Sequence, residues 1–284
     1  PLPVQKQLLL VPLDSRPPCT LIAQDLGRLA SIDVILPPKE LLDNYRTPAN
    51  RKKLSSWLSH NAVKCPAVIS GDLLIHGGLL ASRLPQGTVN DEQNFFKLLQ
   101  AMPSGEDITV FSIIPRLLVS DNLLPDAWYQ WHLMRYSTLR DIVEQFGDYH
   151  STAQLEEIKN KIPQEILQKY NVLYSTNDSF NKQLAALCAA KNYTLVIGQD
   201  DAQPFGLPNR NRTRAAAYMR RAGLSSASTT TCGADEIAQM LTARRFCQIN
   251  NYKPKFYIEY TTDGAATAIM PYMAVTAEAA LLDK

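Results

Sequence analysis

The chain has 284 residues, of which 45% are hydrophobic and 20% are charged, and its formal net charge is +2. These values are those of an ordinary globular protein, and the small net charge argues against the clustered basic surface that nucleic-acid binding requires. No apolar run approaches the roughly 20 residues of a membrane-spanning helix, so no membrane span is predicted. The length allows one large α/β domain or two small ones.

The cysteines are scattered and form no C-x-x-C pair, which predicts buried free thiols rather than a disulfide framework or a zinc site. They are Cys19, Cys65, Cys188, Cys232 and Cys247. The chain begins at Pro1 without a methionine, which indicates that an upstream tag or signal peptide has been removed. The sequence does not distinguish these two, and a periplasmic or secreted location is favoured over a cytoplasmic one.

Short apolar runs alternate with amphipathic segments along most of the chain. The runs predict seven strands, over residues 7–13, 33–37, 67–70, 108–114, 194–197, 228–232 and 255–260. The segments between them predict helices over residues 20–30, 48–60, 91–102, 211–222 and 233–247. Residues 125–190 are helical and more polar, and they are too long for a simple crossover, so we expect an excursion of two or three helices with a break at Pro163.

Strands that alternate with helices predict the α/β class, with a parallel sheet wrapped by helices. A (β/α)8 barrel and a doubly wound open sheet share this signature. The number of strands, with a further unit expected beyond Lys284, favours a barrel-like arrangement that is incomplete at the C-terminus, and the open sheet is the alternative. We predict a single domain over residues 1–284, with the helical excursion at about 125–190.

Two adjacent acids, Asp200 and Asp201, directly follow the fifth predicted strand. Loops at the carboxyl ends of parallel strands hold the ligands of α/β proteins. Adjacent carboxylates repel each other, so at least one needs a cationic partner or a raised pKa. Such a pair is a common catalytic arrangement. The alternative is that one aspartate caps the next helix while the other is solvated.

Further polar residues follow other predicted strands and are candidates for binding a substrate. Asp14 and Arg16 follow the first strand, and they hold either a substrate or each other in a salt bridge. Arg83 and Arg116 could contact a hydroxyl-rich or anionic ligand, or pair with the acids. Tyr260 and Asp263 come at the end of the seventh strand and could complete the rim of a pocket.

Asp72 and His76 follow the third strand and are of the residue types that ligate metals. Together with the other loop acids they would supply enough ligands, but no spacing is diagnostic, so we predict no metal and no cofactor. Asp235 and Glu236 are expected to cap a helix. Trp128 and Trp131 either line a sugar-binding wall or pack in a local cluster. Motifs for nucleotide binding and serine hydrolysis are absent from the sequence.

Five segments in this order resemble the bacterial family called domain of unknown function 4127. They are Leu-Val-Pro-Leu-Asp14-Ser-Arg16-Pro, Leu36-Pro-Pro-Lys-Glu-Leu-Leu42, Asp72…His76-Gly-Gly-Leu-Leu-Ala-Ser-Arg83, Gln199-Asp200-Asp201-Ala-Gln-Pro-Phe-Gly206 and Cys232-Gly-Ala-Asp235-Glu236. The resemblance spans nearly the whole chain and implies a longer protein. His76 stands where the family has an aromatic residue, which weakens a metal role for this position.

The acid pair after a central strand also resembles that of the N-acetylglucosaminidases of glycoside hydrolase family 84. This likeness implies that Asp200 orients the substrate's acetamido group and that Asp201 acts as general acid and base, in a substrate-assisted mechanism. We therefore expect a carbohydrate-active hydrolase, a glycosidase acting on N-acetylhexosamine-type substrates. The alternatives are a metal-dependent hydrolase that uses the same acids and a non-catalytic glycan-binding protein.

Overall fold

The computed structural model describes residues 6–45, 47–61, 65–82, 89–118 and 128–282. Within them, six strands form one sheet in which every neighbouring pair is parallel, in the order β2-β1-β3-β4-β5-β6. The strands are β1 (Lys6–Val11), β2 (Ile32–Ile35), β3 (Ala67–Ser70), β4 (Ile108–Ile114), β5 (Thr194–Gln199) and β6 (Thr229–Cys232).

Helices connect the strands, which confirms the predicted α/β class. They are α1 (Leu21–Leu29), α2 (Arg51–Asn61), α3 (Gly71–Ile75), α4 (Leu79–Ser82), α5 (Val89–Ala101), α6 (Trp128–Phe146), α7 (Tyr149–Lys159), α8 (Gln164–Lys191), α9 (Leu207–Arg221), α10 (Ile237–Ile249) and α11 (Ala277–Leu282). The described sheet is open, with β2 and β6 as its edges, so it has the doubly wound form and not the closed barrel.

The segment predicted as a seventh strand does not extend the sheet. Residues 255–260 are irregular, and Phe256 and Tyr257 are more than four-fifths exposed. Their aromatic and β-branched composition favours a strand only where the side chains have a surface to pack against. The prediction of a strand here was wrong because this segment has no such surface.

Helices cover both faces of the sheet, which explains why the inner strands β3, β4 and β5 are mainly apolar and nearly all buried. The edge strands β2 and β6 are only partly buried. Side chains alternate along β1, so that Leu9 and Val11 face one layer while Leu8 and Leu10 face the other. The first layer contains α2, α5, α8 and α9, and the second contains α1 and α10. Burying one such leucine contributes about 1.5–3 kcal/mol.

The helical excursion consists of α6, α7 and α8, in agreement with the two or three helices predicted. Pro163 is the N-cap of α8, which accounts for the predicted break. The second half of α8 packs on the sheet through Phe180 and Leu184. Its first half joins α6 and α7 in a separate apolar cluster around Tyr170 and Tyr174, which lies beside the loop that follows β5.

Candidate functional site

Loops at the carboxyl ends of β1, β4, β5 and β6 surround a cavity of about 670 Å³. Open α/β sheets bind their ligands outside the carboxyl ends of the strands, and small-molecule sites have volumes of about 300–1,000 Å³. The charged residues of its lining are Arg16, Arg116, Asp200, Asp201, Asp235 and Glu236. We call this space the main cavity.

The two adjacent aspartates occupy different environments within the main cavity. The backbone N–H of Asp200 donates to the carbonyl of Ile114 at 3.1 Å, which continues the pairing of β5 with β4. The Asp200 side chain is nearly buried, and its Oδ1 accepts a hydrogen bond from the backbone N–H of Asp201 at 2.9 Å. Asp201 is exposed to the cavity. The pair therefore combines one sheltered carboxyl group with one open carboxyl group.

Neither aspartate caps the helix that follows. The residue before α9 is Gly206, and its backbone N–H donates to Oδ2 of Asp141 in α6 at 2.8 Å. The next N–H, that of Leu207, donates to the Ser137 hydroxyl at 2.8 Å. The excursion therefore satisfies the first backbone donors of α9, and the capping interpretation of the pair was wrong.

Arg16 is held between two carboxylates. Its Nε donates to Oδ2 of Asp14 at 2.8 Å, and its two terminal nitrogens donate to the two oxygens of Asp235 at 2.9 and 2.6 Å. Burial lowers the pKa of the Arg16 guanidinium, but the hydrogen bonds and charges of Asp14 and Asp235 outweigh burial and raise it overall. Arg16 lines the main cavity, whereas Asp14 is buried behind it and fixes its position.

Asp235 and Glu236 were expected to cap a helix, and the structure shows otherwise. Glu236 is the N-cap residue of α10, but its side chain makes no capping hydrogen bond. Asp235 binds Arg16, and both acids line the main cavity. They follow the carboxyl end of β6. The principle that ligands bind at the carboxyl ends of parallel strands, which pointed to the pair after β5, therefore applies to Asp235 and Glu236 as well.

Arg116 reaches the main cavity from the end of β4. Its backbone carbonyl accepts a hydrogen bond from the hydroxyl of Tyr174 in α8 at 2.7 Å. The next N–H, that of Leu117, donates to the carbonyl of Asp201 at 2.9 Å. The excursion and the acid pair are thus tied to the same loop, and the excursion lies at the carboxyl end of the strands.

Two residues of the inner wall, and an arginine that contacts them from behind, were not among the predicted site residues. One terminal nitrogen of Arg212 in α9 donates to Oε1 of Gln199 at 3.3 Å and contacts the sulfur of Cys232 at 2.7 Å. Gln199 and Cys232 end β5 and β6, are buried and line the cavity. A residue that ends a buried strand looks like part of the strand in the sequence. Gln199 and Cys232 stand in the segments that resemble the family, but strand patterning gave neither of them a role in the site.

Asp72 and His76 line a second, smaller cavity of about 290 Å³ rather than the main one. The Oδ2 atom of Asp72 accepts a hydrogen bond from the backbone N–H of Ile113 at 2.9 Å. Burial, assisted by the charge of Asp200 and opposed by the hydrogen bond from that N–H, raises the pKa of Asp72 to about 7. Burial lowers the pKa of His76 to about 4.

The rim of the main cavity differs from the one predicted. Asp263 is exposed, Tyr260 is partly buried, and neither lines the cavity. Instead, residues 271–274 of the same irregular segment line it, and the carbonyl of Tyr272 accepts from the N–H of Ala202 at 2.9 Å. Arg83 lies outside the described residues.

The tryptophans of α6 are exposed and lie outside the lining of the main cavity. Trp128 and Trp131 are 64% and 74% exposed, which rules out burial in a local cluster, and neither lines the main cavity. In the described part of the chain, no group of three or more His, Cys, Asp or Glu side chains is arranged to hold a metal ion. None of the described helices has the length and apolar character needed to cross a membrane.

Comparison with known proteins identifies one relationship. The model of a family described as "Protein of unknown function (DUF4127)" matches residues 8–284. Neither the curated proteins nor the solved structures include a match to the chain.

Proposed function

The chain belongs to the DUF4127 family, and we propose that it is a carbohydrate-active hydrolase, specifically a glycosidase acting on N-acetylhexosamine-type substrates. The observation that carries the proposal is the asymmetric acid pair, in which a sheltered Asp200 adjoins an exposed Asp201 in one polar cavity. Acid pairs in unlike environments suit the two different tasks of glycoside hydrolysis.

In the proposed reaction, Asp200 accepts a hydrogen bond from the N–H of the sugar's acetamido group. The acetamido oxygen then bonds to the anomeric carbon while the glycosidic bond breaks, and Asp201 gives its proton to the leaving oxygen. The resulting intermediate is an oxazolinium ion, whose N–H remains hydrogen-bonded to Asp200. Water then attacks its anomeric carbon, and Asp201 takes a proton from that water. The acetamido group is restored, and the products are the free sugar and the alcohol.

The environment of each aspartate supports this division of roles. The Oδ1 atom of Asp200 is fixed by the N–H of Asp201, so its carboxyl group is oriented before a substrate arrives. Asp201 is open to the cavity, where it can reach both a leaving group and water. Arg16 and Arg116 lie on the same lining and can donate to sugar hydroxyl groups.

A panel of chromogenic glycosides tests the proposal. We expect 4-nitrophenyl N-acetyl-β-hexosaminides to be hydrolysed, and the matched 4-nitrophenyl β-glucoside, which lacks the acetamido group, to be left intact. Both Asp200→Asn and Asp201→Asn should lose turnover, whereas Asp25→Asn on the exposed face of α1 should keep it. Hydrolysis that stops on chelation would point to a metal-dependent hydrolase. Sugar binding without turnover would point to a glycan-binding protein.

A further inference from the structure

The smaller cavity lies between α3, α5, the end of β4 and α8. None of its described lining residues lines the main cavity. Its walls are mainly apolar, and they include Ile75, Ile113, Pro115, Leu173 and Phe180. Val172, which is 43% exposed, stands at its edge. The acids, arginines and glycosidase chemistry of the main cavity do not account for this second space.

His76 is the polar group of this cavity whose hydrogen bonding is incomplete. Its Nδ1 atom is buried and has no hydrogen-bond partner among the residues that the structure describes. Leaving a buried polar atom unpaired costs about 1–3 kcal/mol, and such atoms call for an explanation. A ligand that hydrogen-bonds to the imidazole ring provides one.

Two other polar side chains of the cavity, Asp72 and Asn177, are already held in place by the protein. Asp72 accepts from the N–H of Ile113, and the amide nitrogen of Asn177 donates to the carbonyl of Ile113 at 2.9 Å. The amide oxygen of Asn177 accepts from the side chain of Asn181 at 3.2 Å. A fixed polar frame around an imidazole with an unpaired nitrogen is the arrangement of a preformed binding site.

The protonation state of His76 determines which ligand group it can bind. Burial and the nearby charge of Arg51 lower the pKa of His76 to about 4, so the ring is neutral at pH 7. A neutral imidazole carries one N–H donor and one acceptor nitrogen, and we assign the unpaired Nδ1 as the acceptor. The carboxyl groups of Asp72 and Glu92 also line the cavity and offer acceptor oxygens, although the proton that Asp72 keeps up to about pH 7 makes Asp72 a donor as well. The site therefore matches a ligand with a hydrogen-bond donor.

The walls and volume favour an aromatic ligand of limited size. The ring of Phe180 lines the cavity and is backed by Phe95 and Phe96, with ring centroids 6.0 and 5.5 Å away. An apolar cavity of about 150 Å³ accepts benzene, so the 290 Å³ here can accept a bicyclic aromatic molecule. Aromatic rings also gain from edge-to-face or offset contact with phenylalanine.

We propose that this second cavity binds a small aromatic molecule carrying one N–H or O–H donor, with the imidazole ring of His76 as the acceptor. The proposal does not depend on the glycosidase activity, because the two cavities have separate walls. It assigns the protein a second small-molecule site next to the one in which the reaction is proposed.

Indole and 1-methylindole are matched probes for this site, since they differ only at the ring nitrogen, where a methyl group replaces the hydrogen of the N–H donor. We expect indole to bind the full chain about three- to tenfold more tightly, which is the worth of one neutral hydrogen bond, as measured by isothermal titration calorimetry. In His76→Phe the two probes should bind equally. Equal affinity of the two probes for the wild-type chain, or no binding of either, would overturn the proposal.

A second pair of variants locates the probe without altering His76. Val172→Trp adds bulk at the exposed edge of the cavity and should weaken indole binding at least tenfold. Leu29→Trp makes the same kind of change at the end of α1, where the leucine is 86% exposed, and should leave binding unchanged. Circular dichroism establishes that both variants are folded. Unchanged indole binding by Val172→Trp would mean that the probe lies elsewhere and would refute the assignment.

Discussion

Arg16 and Asp235 face each other with two parallel hydrogen bonds of 2.9 and 2.6 Å, although they lie 219 residues apart in the chain. This contact joins the loop after β1 to the loop after β6 across the mouth of the main cavity. Because Asp14 holds the Nε of the same guanidinium, Arg16 is fixed in one orientation. A rigid arginine of this kind can orient a substrate without losing conformational entropy on binding.

The two carboxylates that hold Arg16 should differ in their effect on stability. The Asp14 side chain is 4% exposed and that of Asp235 is 40% exposed. Asp14→Ala should lower the free energy of unfolding by about 2 kcal/mol, and Asp235→Ala by about 1 kcal/mol, because solvent screens the second contact. Urea unfolding measures both.

Asp25→Ala is the matched control, because it breaks the exposed pair with Arg28 in α1. It should change the free energy of unfolding by less than about 0.5 kcal/mol. If Asp14→Ala were as mild as this control, the buried carboxylate would not be what holds Arg16 in place.

Asp72 should make the protein less stable as the pH rises. Its pKa is raised from 3.8 to about 7 by burial, so the folded state keeps a proton that the unfolded state has lost. Stability is therefore full below about pH 4, falls between pH 4 and 7, and stays reduced above pH 7. Asp72→Asn keeps an oxygen for the Ile113 N–H and carries no charge. Its free energy of unfolding, relative to wild type, should rise by a few kcal/mol between pH 4 and pH 8.

The measurement is a series of urea unfolding curves at pH 4 to pH 8 for wild type and Asp72→Asn. Asp25→Asn serves as the control, since Asp25 is exposed on α1. A difference between Asp72→Asn and wild type that does not change with pH would show that Asp72 is ionised throughout this range.

Two glycines with nearly the same φ angle allow the cost of steric crowding to be separated from the cost of backbone strain. Gly206 has φ of 143° and Gly105 has φ of 145°, a region that other residues rarely adopt. A Cβ atom on Gly206 would come within 3.0 Å of Leu117, whereas one on Gly105 would meet nothing within 4 Å. Both alanine variants should lose about 1–3 kcal/mol to strain, and Gly206→Ala should lose about 1–3 kcal/mol more to overpacking.

Thermal and urea unfolding of the two variants give this difference directly. Gly206→Ala should also reduce activity on any substrate found, since Gly206 ends the loop that carries the acid pair. Equal losses of stability in the two variants would mean that Leu117 moves aside at little cost.

The strands and the acid pair could be predicted from the sequence because their signals are local. Residues 194–197 are a continuous apolar run, and a run of this kind is what burial on both faces requires. The wrong prediction of a strand at residues 255–260 also came from a local signal. Local composition cannot show whether a neighbouring strand is present to pair with the segment.

The cavity itself depends on distant contacts that no local pattern encodes. Asp235 meets Arg16 only because α1 and α10 cover the same face of the sheet. The separation of Asp72 from the main cavity follows from a hydrogen bond to Ile113, 41 residues away. The position of a residue at the end of a strand predicts the edge of the sheet at which it lies, but it does not show which of the two cavities at that edge the residue will line.

The acid pair makes the sharpest prediction for the proposed reaction. Asp201→Asn removes the proton donor for the leaving group and should lower turnover of an N-acetylhexosaminide by roughly two to four orders of magnitude. The loss should shrink for aryl glycosides whose leaving groups are already acidic, because these need less protonation. Asp200→Asn should instead impair all N-acetyl substrates alike, since it misplaces the acetamido nucleophile. Rates measured across a series of substituted phenyl glycosides show how the loss in each variant depends on the acidity of the leaving group, and this dependence distinguishes the two roles. If both variants hydrolysed the substrate at the wild-type rate, the pair would be structural and the mechanism would be wrong.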